Sequence, residues 1–394
     1  MVDRIVVFKG SKKDFNSLLD ERIENEEDTI PFMDLIQHYN ARLRPNESGV
    51  RESSLNRKIE VDNCVVKADD YGSVLEHVLS NFVNIVTLNH DIGCLYVHNP
   101  PKRVEESLTS YYDDIEFLDS EYIELTKSVL KKIYNDLCLN ILGQNQCKKK
   151  IISGLYRLIK NKTGKPVVLM LFGPSGVGKT ETAKRISNVL GGDLLRIQFS
   201  MMQNEEAYNY VFGSEHSRVC LARDLLGRES NVVLIDEFDK VNSVFYNAFY
   251  ELFDEGVYVD ANYKVELGDA IFLCTCNFMT EEEIKKNLGM AMFSRIGCCI
   301  EYDELLSEEK KIIVNNWYGE IIDKLDSVEK AIVDETHIKD WFKQNVDRYD
   351  NIRLLKTKME NAIFDELTEK LLFSEMLDDE RNVKTESIED SDFM

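Results

Sequence analysis

The sequence predicts an α/β protein built around a parallel sheet, with an α+β domain before it and a small α-helical domain after it. Continuous apolar runs indicate buried parallel strands, because strands covered on both faces carry apolar side chains at every position. Four such runs alternate with helical patterns after about residue 139: Val167–Phe172, Leu194–Phe199, Val232–Ile235 and Ile271–Cys276. Beyond residue 301 the pattern is helical only, over Ser307–Lys324, Val328–Asn345 and Asn351–Phe373.

The first 125 residues mix strand-like and helix-like runs and carry no recognisable chemical motif. Arg4–Lys9 and Lys58–Lys67 indicate strands, and apolar positions three and four apart predict a helix over Val74–Leu88. A second helical pattern, Glu121–Leu142, leads into the central part. We therefore expect four segments: an amino-terminal α+β domain for partner binding (1–125), a large domain with its lead-in helix (126–302), a helical domain (303–377) and a disordered acidic tail (378–394).

Charge and composition narrow the class of protein. Apolar residues make up 43% of the chain, enough for packed cores, and the net charge of −23 disfavours nucleic acid as the main partner. The nine cysteines include no Cys-x-x-Cys pair, which is typical of free thiols in a reducing compartment. Neither a signal peptide nor a membrane span is indicated, so we expect a cytoplasmic protein.

A glycine-rich segment follows the first apolar run of the central part and matches the phosphate-loop pattern. It reads Gly173-Pro174-Ser175-Gly176-Val177-Gly178-Lys179-Thr180, and a helical pattern over Lys179–Leu190 leaves it. Glycines let backbone amides approach phosphate groups, and the start of the following helix adds partial positive charge. The motif predicts that Lys179 binds the β- and γ-phosphates and that the Thr180 hydroxyl ligates Mg²⁺.

An acidic pair ends another apolar run, Val232–Ile235, at Asp236 and Glu237. Asp236 lies 57 positions after Lys179 (236 minus 179). At a strand end, Asp236 can hold the Mg²⁺ shell, and Glu237 can orient and deprotonate the attacking water. The pair therefore predicts nucleotide hydrolysis rather than binding alone.

These motifs, in this order, resemble the Clp family of AAA+ protein-remodelling ATPases over about 139–375, closest to its carboxy-terminal ATPase module. Ile141-Leu142-Gly143-Gln144 is similar to the family's apolar-Gly-Gln box, which contacts adenine, and Asp236–Lys240 is similar to its Asp-Glu-apolar-acid-Lys signature. The resemblance implies an AAA+ P-loop three-layer domain with a helical lid. It also implies ATP and Mg²⁺ as ligands.

Three further positions acquire roles through this resemblance. Asn277 matches the sensor-1 position, Arg295 in Phe293-Ser294-Arg295-Ile296 resembles the arginine finger, and Arg353 matches the sensor-2 arginine of the lid. The implied catalytic residues are Glu237, Asn277, Arg295 and Arg353, and the implied metal ligands are Thr180 and Asp236. The implied nucleotide-binding residues are Ile141, Leu142, Gly143, Gln144, Gly173, Pro174, Ser175, Gly176, Val177, Gly178, Lys179, Thr180 and Glu181.

An arginine finger acts on the neighbouring subunit, so the resemblance implies a ring of like subunits, six in the family. One family feature is missing from the sequence. Clp unfoldases grip their substrates with a Gly-Tyr-Val-Gly loop, whereas here Val211-Phe212-Gly213 is followed by Ser214-Glu215-His216-Ser217-Arg218-Val219, and Ser214–Asn231 contains no aromatic residue.

Two functions remain open on this evidence. The first is a motor that remodels a specific protein partner, with the amino-terminal domain selecting that client. The alternative is an ATP-dependent oligomeric switch or scaffold that regulates an effector without threading substrate, as in bacterial defence systems. A third class, the nucleic-acid-loading AAA+ proteins, is disfavoured by the acidic charge.

Overall fold

The computed structural model describes residues 1–25, 28–43, 58–161, 164–201, 204–214 and 219–373. The predicted acidic tail, 378–394, lies outside them. The strands are β1 Val2–Lys9, β2 Thr29–Pro31, β3 Ile59–Val66, β4 His90–His98, β5 Glu116–Asp119, β6 Val167–Phe172, β7 Leu195–Gln198, β8 Val232–Asp236, β9 Val257–Val259, β10 Lys264–Glu266, β11 Ile271–Thr275 and β12 Cys298–Glu301.

Helices alternate with these strands and then continue alone at the carboxyl end. They are α1 Lys12–Arg22, α2 Phe32–Leu43, α3 Glu76–Ser80, α4 Phe82–Asn89, α5 Lys102–Tyr111, α6 Lys127–Asn140, α7 Asn145–Asn161, α8 Lys179–Leu190, α9 Asn204–Phe212, α10 Leu221–Leu226, α11 Tyr246–Glu255, α12 Glu281–Phe293, α13 Ser307–Ile322, α14 Ser327–Asp334, α15 Ile338–Gln344 and α16 Ile352–Thr368. Across the described ranges, none of them combines the length and apolar character that crossing a membrane requires.

Two separate parallel sheets organise the first part of the chain. The central sheet has the order β12-β6-β11-β8-β7, and its strands β6, β8 and β11 are almost wholly buried. A short antiparallel hairpin, β9–β10, follows α11. The predicted α/β fold with a parallel central sheet is therefore confirmed, and its buried strands are the apolar runs that predicted it.

The amino-terminal sheet has the order β2-β3-β4-β1-β5, and every pairing in it is parallel. This corrects the α+β arrangement expected for residues 1–125, since each strand returns through a crossover helix rather than a hairpin. Helix α1 packs on one face of the sheet through Phe15, while α2, α4 and α5 cover the other face.

Two predicted helices are each divided in the structure. The pattern Val74–Leu88 forms α3 and α4, separated by Asn81, whose side-chain amide donates to the His77 carbonyl at 3.1 Å. The pattern Val328–Asn345 forms α14 and α15, separated where His337 adopts a left-handed conformation with φ 53°. Polar side chains that bond the local backbone compete with helix continuation at such points.

The described chain forms two compact units. The first contains Met1–Asn140, Gln146–Phe172 and Lys179–Glu301, and therefore both parallel sheets. The second contains Ile141–Asn145, Gly173–Gly178 and the chain from Tyr302 onward. Helices α13 to α16 give the second unit its own core, which includes Val314, Leu355, Met359 and Ile363, all fully buried. The four-segment division drawn from the sequence stays a prediction.

Candidate active site

The strand order of the central sheet brings distant polar residues to one edge. Strands β6, β11, β8 and β7 are successive parallel neighbours, so their carboxyl ends meet at the same side. Lys179 begins α8 shortly after β6, Asn277 follows β11, and Glu237 follows β8. The carboxyl edge of a parallel sheet is where open α/β folds place their ligands.

Lys179 and Asn277 are in direct contact at this edge. The Lys179 ammonium donates to Asn277 Oδ1 at 3.3 Å, although the two residues are 98 positions apart. Lys179 is only 7% exposed, so its charge is directed into the site rather than into solvent. The contact brings together two residues whose site roles the sequence predicted separately.

Asp236 is the most constrained carboxylate of the site. Thr180 Oγ1 lies 3.4 and 3.5 Å from its two oxygens, and the Thr275 hydroxyl donates to Oδ1. Arg196, on the neighbouring strand β7, reaches Oδ2 through Nε at 2.9 Å and Nη2 at 2.6 Å. Asp236 is 5% exposed, so this pairing compensates a charge that burial would otherwise penalise.

The predicted metal ligands fit the coordination chemistry of Mg²⁺. Thr180 and Asp236 present a hydroxyl and a carboxylate side by side, and hard oxygen donors of this kind suit Mg²⁺. No group of three or more His, Cys, Asp or Glu side chains that could hold a metal occurs in the described part of the chain. A magnesium ion here therefore depends on these two side chains together with phosphate oxygens and water.

Glu237 is held by both its backbone and its side chain. Its backbone is left-handed (φ 56°, ψ 46°), and its amide donates to Thr275 Oγ1 at 3.0 Å. The Ser200 hydroxyl donates to Glu237 Oε2, and Gln198 Nε2 donates to the same oxygen at 3.2 Å. The hydrogen bond from Ser200, followed by that from Gln198, lowers the pKa of Glu237 because both favour the charged carboxylate.

The phosphate-loop glycines adopt conformations that other residues rarely tolerate. Gly173 has φ +124°, and a Cβ atom there would lie 2.3 Å from the carbonyl oxygen of Tyr302. Gly176 and Gly178 also have positive φ, at +85° and +103°. Positive φ at all three positions favours glycine, as the curved backbone of a phosphate-binding loop requires.

The predicted adenine-contacting box lies in the second unit, as does the loop. The Gln144 side chain, 7% exposed, pairs with both backbone groups of Asp303, donating at 2.7 Å and accepting at 3.1 Å. A Cβ at Gly143 would meet the carboxylate of Glu309, and Ile141 is buried beside Gly178. Gln144 therefore anchors the chain here, and nucleotide contact by Ile141, Leu142 and Gly143 stays a prediction.

Arg353 lies at the start of α16, close to the phosphate loop. Its amide donates at 2.8 Å to Asn351 Oδ1, which caps the helix, and a Cβ at Gly176 would lie 3.5 Å from that same oxygen. The Arg353 side chain is exposed, and no described acidic side chain pairs with it. The role of Arg353 beside a bound nucleotide stays a prediction.

Arg295 is separate from the cluster around Asp236. Its guanidinium packs 4.3 Å from the Tyr250 ring centre, and Nε donates to Asp254 at 2.8 Å. A further bond runs from Nη1 to the Ala291 carbonyl at 2.6 Å. Glu181 is likewise engaged elsewhere, because it pairs with Arg185 at 2.8 Å.

Four contributors to the site were missed in the sequence: Gln198, Ser200, Arg196 and Thr275. Arg196 and Gln198 alternate with the apolar Leu195 and Ile197 along β7, a pattern that marks one polar face at the strand's carboxyl end. Thr275 is the last residue of an otherwise apolar strand, which was the available signal. Without the strand order, nothing indicated that these residues face Asp236 and Glu237.

The chain is similar in sequence to one family model and to several known proteins. Residues 165–328 match the family model of the AAA domain (Cdc48 subfamily). The chain is 22% identical over 292 residues to the chaperone protein ClpB of Malacoplasma penetrans, a match covering 67% of this chain and 41% of that protein. It is 26% identical over 272 residues to the ATP-dependent Clp protease ATP-binding subunit ClpL of Staphylococcus aureus. That match covers 62% of this chain and 38% of ClpL.

A solved structure shares the fold. The Hsp104–ADP complex of S. cerevisiae matches with a TM-score of 0.50 at 18% identity, covering 64% of this chain and 49% of that one. The chain thus spans about two-fifths of the length of the curated relatives, with which it shares an ATPase region.

Proposed function

Because the chain carries a Clp-type AAA+ ATPase module, we propose that it hydrolyses ATP in a ring of like subunits and uses the cycle to remodel a specific protein partner. The observation that carries the proposal is the meeting of Lys179, Asn277, Asp236 and Glu237 at one edge of the central sheet. Each is a residue type that phosphoryl transfer to water requires.

Each of these side chains has a distinct chemical task. Lys179 supplies positive charge to phosphate oxygens, and Asn277 both orients that ammonium and presents an amide to the attacking water. Glu237 accepts a proton from that water, and the hydrogen bonds from Ser200 and Gln198 hold its carboxylate in place. A magnesium ion bound by Thr180 and Asp236 would supply charge neutralisation for the phosphate oxygens.

Arg295 supports the requirement for a ring. No described hydrogen bond or ion pair joins it to Lys179, Asp236 or Glu237, and its pairing with Asp254 holds the guanidinium beside α11. An arginine supplied by a neighbouring subunit typically contributes about 10³–10⁵ in rate to nucleotide hydrolysis. We therefore assign Arg295 to the site of the next subunit.

We propose a protein as the substrate because of the proteins to which this chain is similar. One is named as a chaperone and another as the ATP-binding subunit of a protease, and both names describe work on proteins. A second candidate, a nucleotide switch or scaffold, is favoured by one feature: Ser214–Asn231 contains no aromatic residue with which to grip a threaded chain. His216 and Arg218 lie in this segment but outside the described residues.

The first experiment is to measure the mass of Glu237→Gln in solution by light scattering, with and without Mg·ATP. The amide keeps the size of the side chain but cannot accept the proton, so ATP should bind and remain intact. We expect a nucleotide-dependent ring that Arg295→Ala weakens. Arg103→Ala removes an exposed arginine paired with Glu76 and serves as the matched control.

The outcomes separate the two candidate functions. A ring that retains partner proteins in pull-downs, in the presence of ATP, supports the remodelling motor. In a remodelling motor, substituting His216 or Arg218 should impair client processing and leave the ATPase rate unchanged. In a scaffold, the same substitutions should change neither the function nor the ATPase rate. A monomer with and without ATP would contradict self-assembly through Arg295.

A further inference from the structure

A cavity of about 280 Å³ lies beside the amino-terminal sheet, remote in sequence from the phosphate loop. Residues after β1, β3 and β4 line it, together with residues of α10. Its polar lining includes Lys12, Lys67, Asp69, His98 and Arg223, all in the first unit. The proposed ATPase cycle uses none of them.

The topology of the sheet marks this place as a ligand site. Strands β1 and β4 are adjacent and parallel, yet the helices that follow them lie on opposite faces. Helix α1 buries Phe15 on one face, and α5 buries Val104 and Leu108 on the other. The loops therefore diverge and leave a crevice at the carboxyl ends of the strands, which is where ligands bind in open parallel sheets.

The bottom of the crevice is rigid and uncharged. His98 stacks on Phe15 with ring centres 4.4 Å apart, and burial lowers the pKa of His98, so the ring is neutral near pH 7. Asn99 pairs with both backbone groups of Gly10, accepting at 2.9 Å and donating at 2.8 Å. These contacts form the crevice in advance, so a ligand would lose little free energy in ordering it.

The charges around the opening are unusual for so acidic a chain. Three cationic side chains, Lys12, Lys67 and Arg223, line one small crevice, while the whole protein carries −23. Asp69 lies between two of them, 3.6 Å from Lys12 Nζ and 2.9 Å from Arg223 Nη2. The second acidic side chain of the lining, Asp224, accepts a hydrogen bond from Tyr210 at 2.7 Å and is occupied by it.

The Asp69 carboxylate therefore marks an anion-binding position. It is carried by an exposed segment after β3, with 72% of its side chain accessible, so it can leave without disturbing a core. A phosphate monoester brings up to about two negative charges and three acceptor oxygens, against one charge for Asp69. The three acceptor oxygens of the phosphate equal in number the three cationic side chains of the crevice, Lys12, Lys67 and Arg223.

We propose that this crevice binds a phosphate group, either free or carried by a small molecule, and that the phosphate displaces Asp69 from Lys12 and Arg223. The volume of about 280 Å³ lies just below the usual range for small-molecule sites, about 300–1,000 Å³, so it suits a monophosphate rather than a dinucleotide. Arg223 belongs to α10, and Asp69 lies in the segment after β3. Binding of the phosphate would therefore replace the ion pair between these two segments with contacts to the ligand.

The test measures phosphate binding in the Lys179→Ala variant. This substitution removes the phosphate-loop lysine, so binding at the ATP site is weakened and binding at the crevice can be measured by itself. Inorganic phosphate, AMP and glycerol 3-phosphate are titrated by calorimetry. Saturable binding of inorganic phosphate as tight as that of the esters identifies a site for the free anion. Tighter binding of one ester identifies an organic monophosphate, and both results support the proposal.

Further substitutions in the Lys179→Ala background should change the affinity for phosphate in opposite directions. Lys67→Ala and Lys12→Ala should each weaken binding about tenfold, as expected for loss of a charge-assisted hydrogen bond. Asp69→Asn should strengthen binding, because the competing carboxylate is gone. Lys13→Ala removes a neighbouring exposed lysine that does not line the cavity, and should change nothing.

Two results would overturn the proposal: no saturable binding of any of the three compounds, or binding that Lys67→Ala leaves unchanged. Lys12, Lys13, Lys67 and Asp69 are exposed, so their substitution should leave the fold intact. Lys179 is buried, so the melting temperature of the unliganded Lys179→Ala background is compared with that of the parent protein before the other variants are measured. The measurement does not depend on hydrolysis, so it stands or fails independently of the proposed ATPase function.

Discussion

Among the single side chains of the site, Ser200 has the most direct influence on Glu237. The two residues are 37 positions apart, and the serine hydroxyl donates to the carboxylate oxygen that Gln198 also contacts. Both bonds stabilise the charged form of the carboxylate and so lower its pKa. Ser200 therefore keeps Glu237 ionised while limiting its strength as a base.

Replacing Ser200 with Ala should shift the pH dependence of ATP hydrolysis. Its hydrogen bond is the main cause of the lowered pKa of Glu237, so the pKa should rise towards its ordinary value. Glu237 must be deprotonated to act as a base, and in the variant acidification protonates it earlier. We expect the acid limb of the kcat/KM profile to move to higher pH.

The control for this experiment is Ser110→Ala, which removes an exposed hydroxyl on α5. Its profile should coincide with that of the parent protein. An acid limb that stays in place, or moves to lower pH, in Ser200→Ala would show that another group limits the rate on the acid side.

Local motifs were sufficient to predict some residues of the candidate site but not others. Lys179 and Thr180 belong to one continuous loop, and Asp236 ends a recognisable apolar strand, so their neighbours in sequence define them. Arg196 and Thr275 contact Asp236 only because β7, β8 and β11 are adjacent in the sheet. Strand order is a property of long-range packing, which no window of residues contains.

Among secondary-structure elements, the phosphate loop depends most strictly on backbone geometry. Gly173→Ala should destabilise the second unit and abolish tight ATP binding. The new methyl group would lie 2.3 Å from the Tyr302 carbonyl oxygen, and φ +124° is a strained conformation for alanine. Nucleotide titration and the melting temperature measure the two effects.

Gly319→Ala is the matched control for this substitution. Gly319 lies within α13, and a Cβ there meets no atom within 4 Å. Alanine should stabilise the helix by about 0.5–1 kcal/mol, because it loses less backbone entropy than glycine on folding. Equal ATP affinity in Gly173→Ala and Gly319→Ala would contradict the proposed phosphate cradle.

Element boundaries could be predicted where burial is uniform. Strand β6 and helix α8 begin and end at the predicted residues, because an apolar run ends at glycine and the helix starts at the loop lysine. The divided helices could not be predicted from apolar spacing. Asn81 and His337 interrupt them through backbone conformation, while the apolar positions on either side keep a helical period.

For the chain as a whole, the parallel character of the amino-terminal sheet was the main feature that the sequence did not indicate. Strands β2 and β5 have three and four residues, too few for a clear apolar pattern. The arrangement of layers brings α10, which precedes β8, into contact with the segment after β3 through the ion pair of Arg223 with Asp69.

A second link joins the amino-terminal part to the central sheet. The Arg228 guanidinium, on a residue 7% exposed, lies 4.5 Å from the Tyr122 ring centre, and the Tyr122 hydroxyl donates to the Arg228 carbonyl at 3.2 Å. Burial lowers the pKa of Arg228, and its Nε has no hydrogen-bond partner among the described residues. The aromatic face is therefore an important compensation for a buried charge.

Tyr122→Ala should lower the free energy of unfolding by about 2 kcal/mol, the contribution of a desolvated cation–π contact. Tyr122→Phe keeps the ring and loses only the hydroxyl, so it should retain most of the stability. Chemical denaturation of both variants, monitored by far-ultraviolet circular dichroism, measures the difference in the free energy of unfolding. If the two substitutions were equally destabilising, the hydroxyl bond to the Arg228 carbonyl would be the principal link, and the stacked ring would contribute little to joining the two sheets.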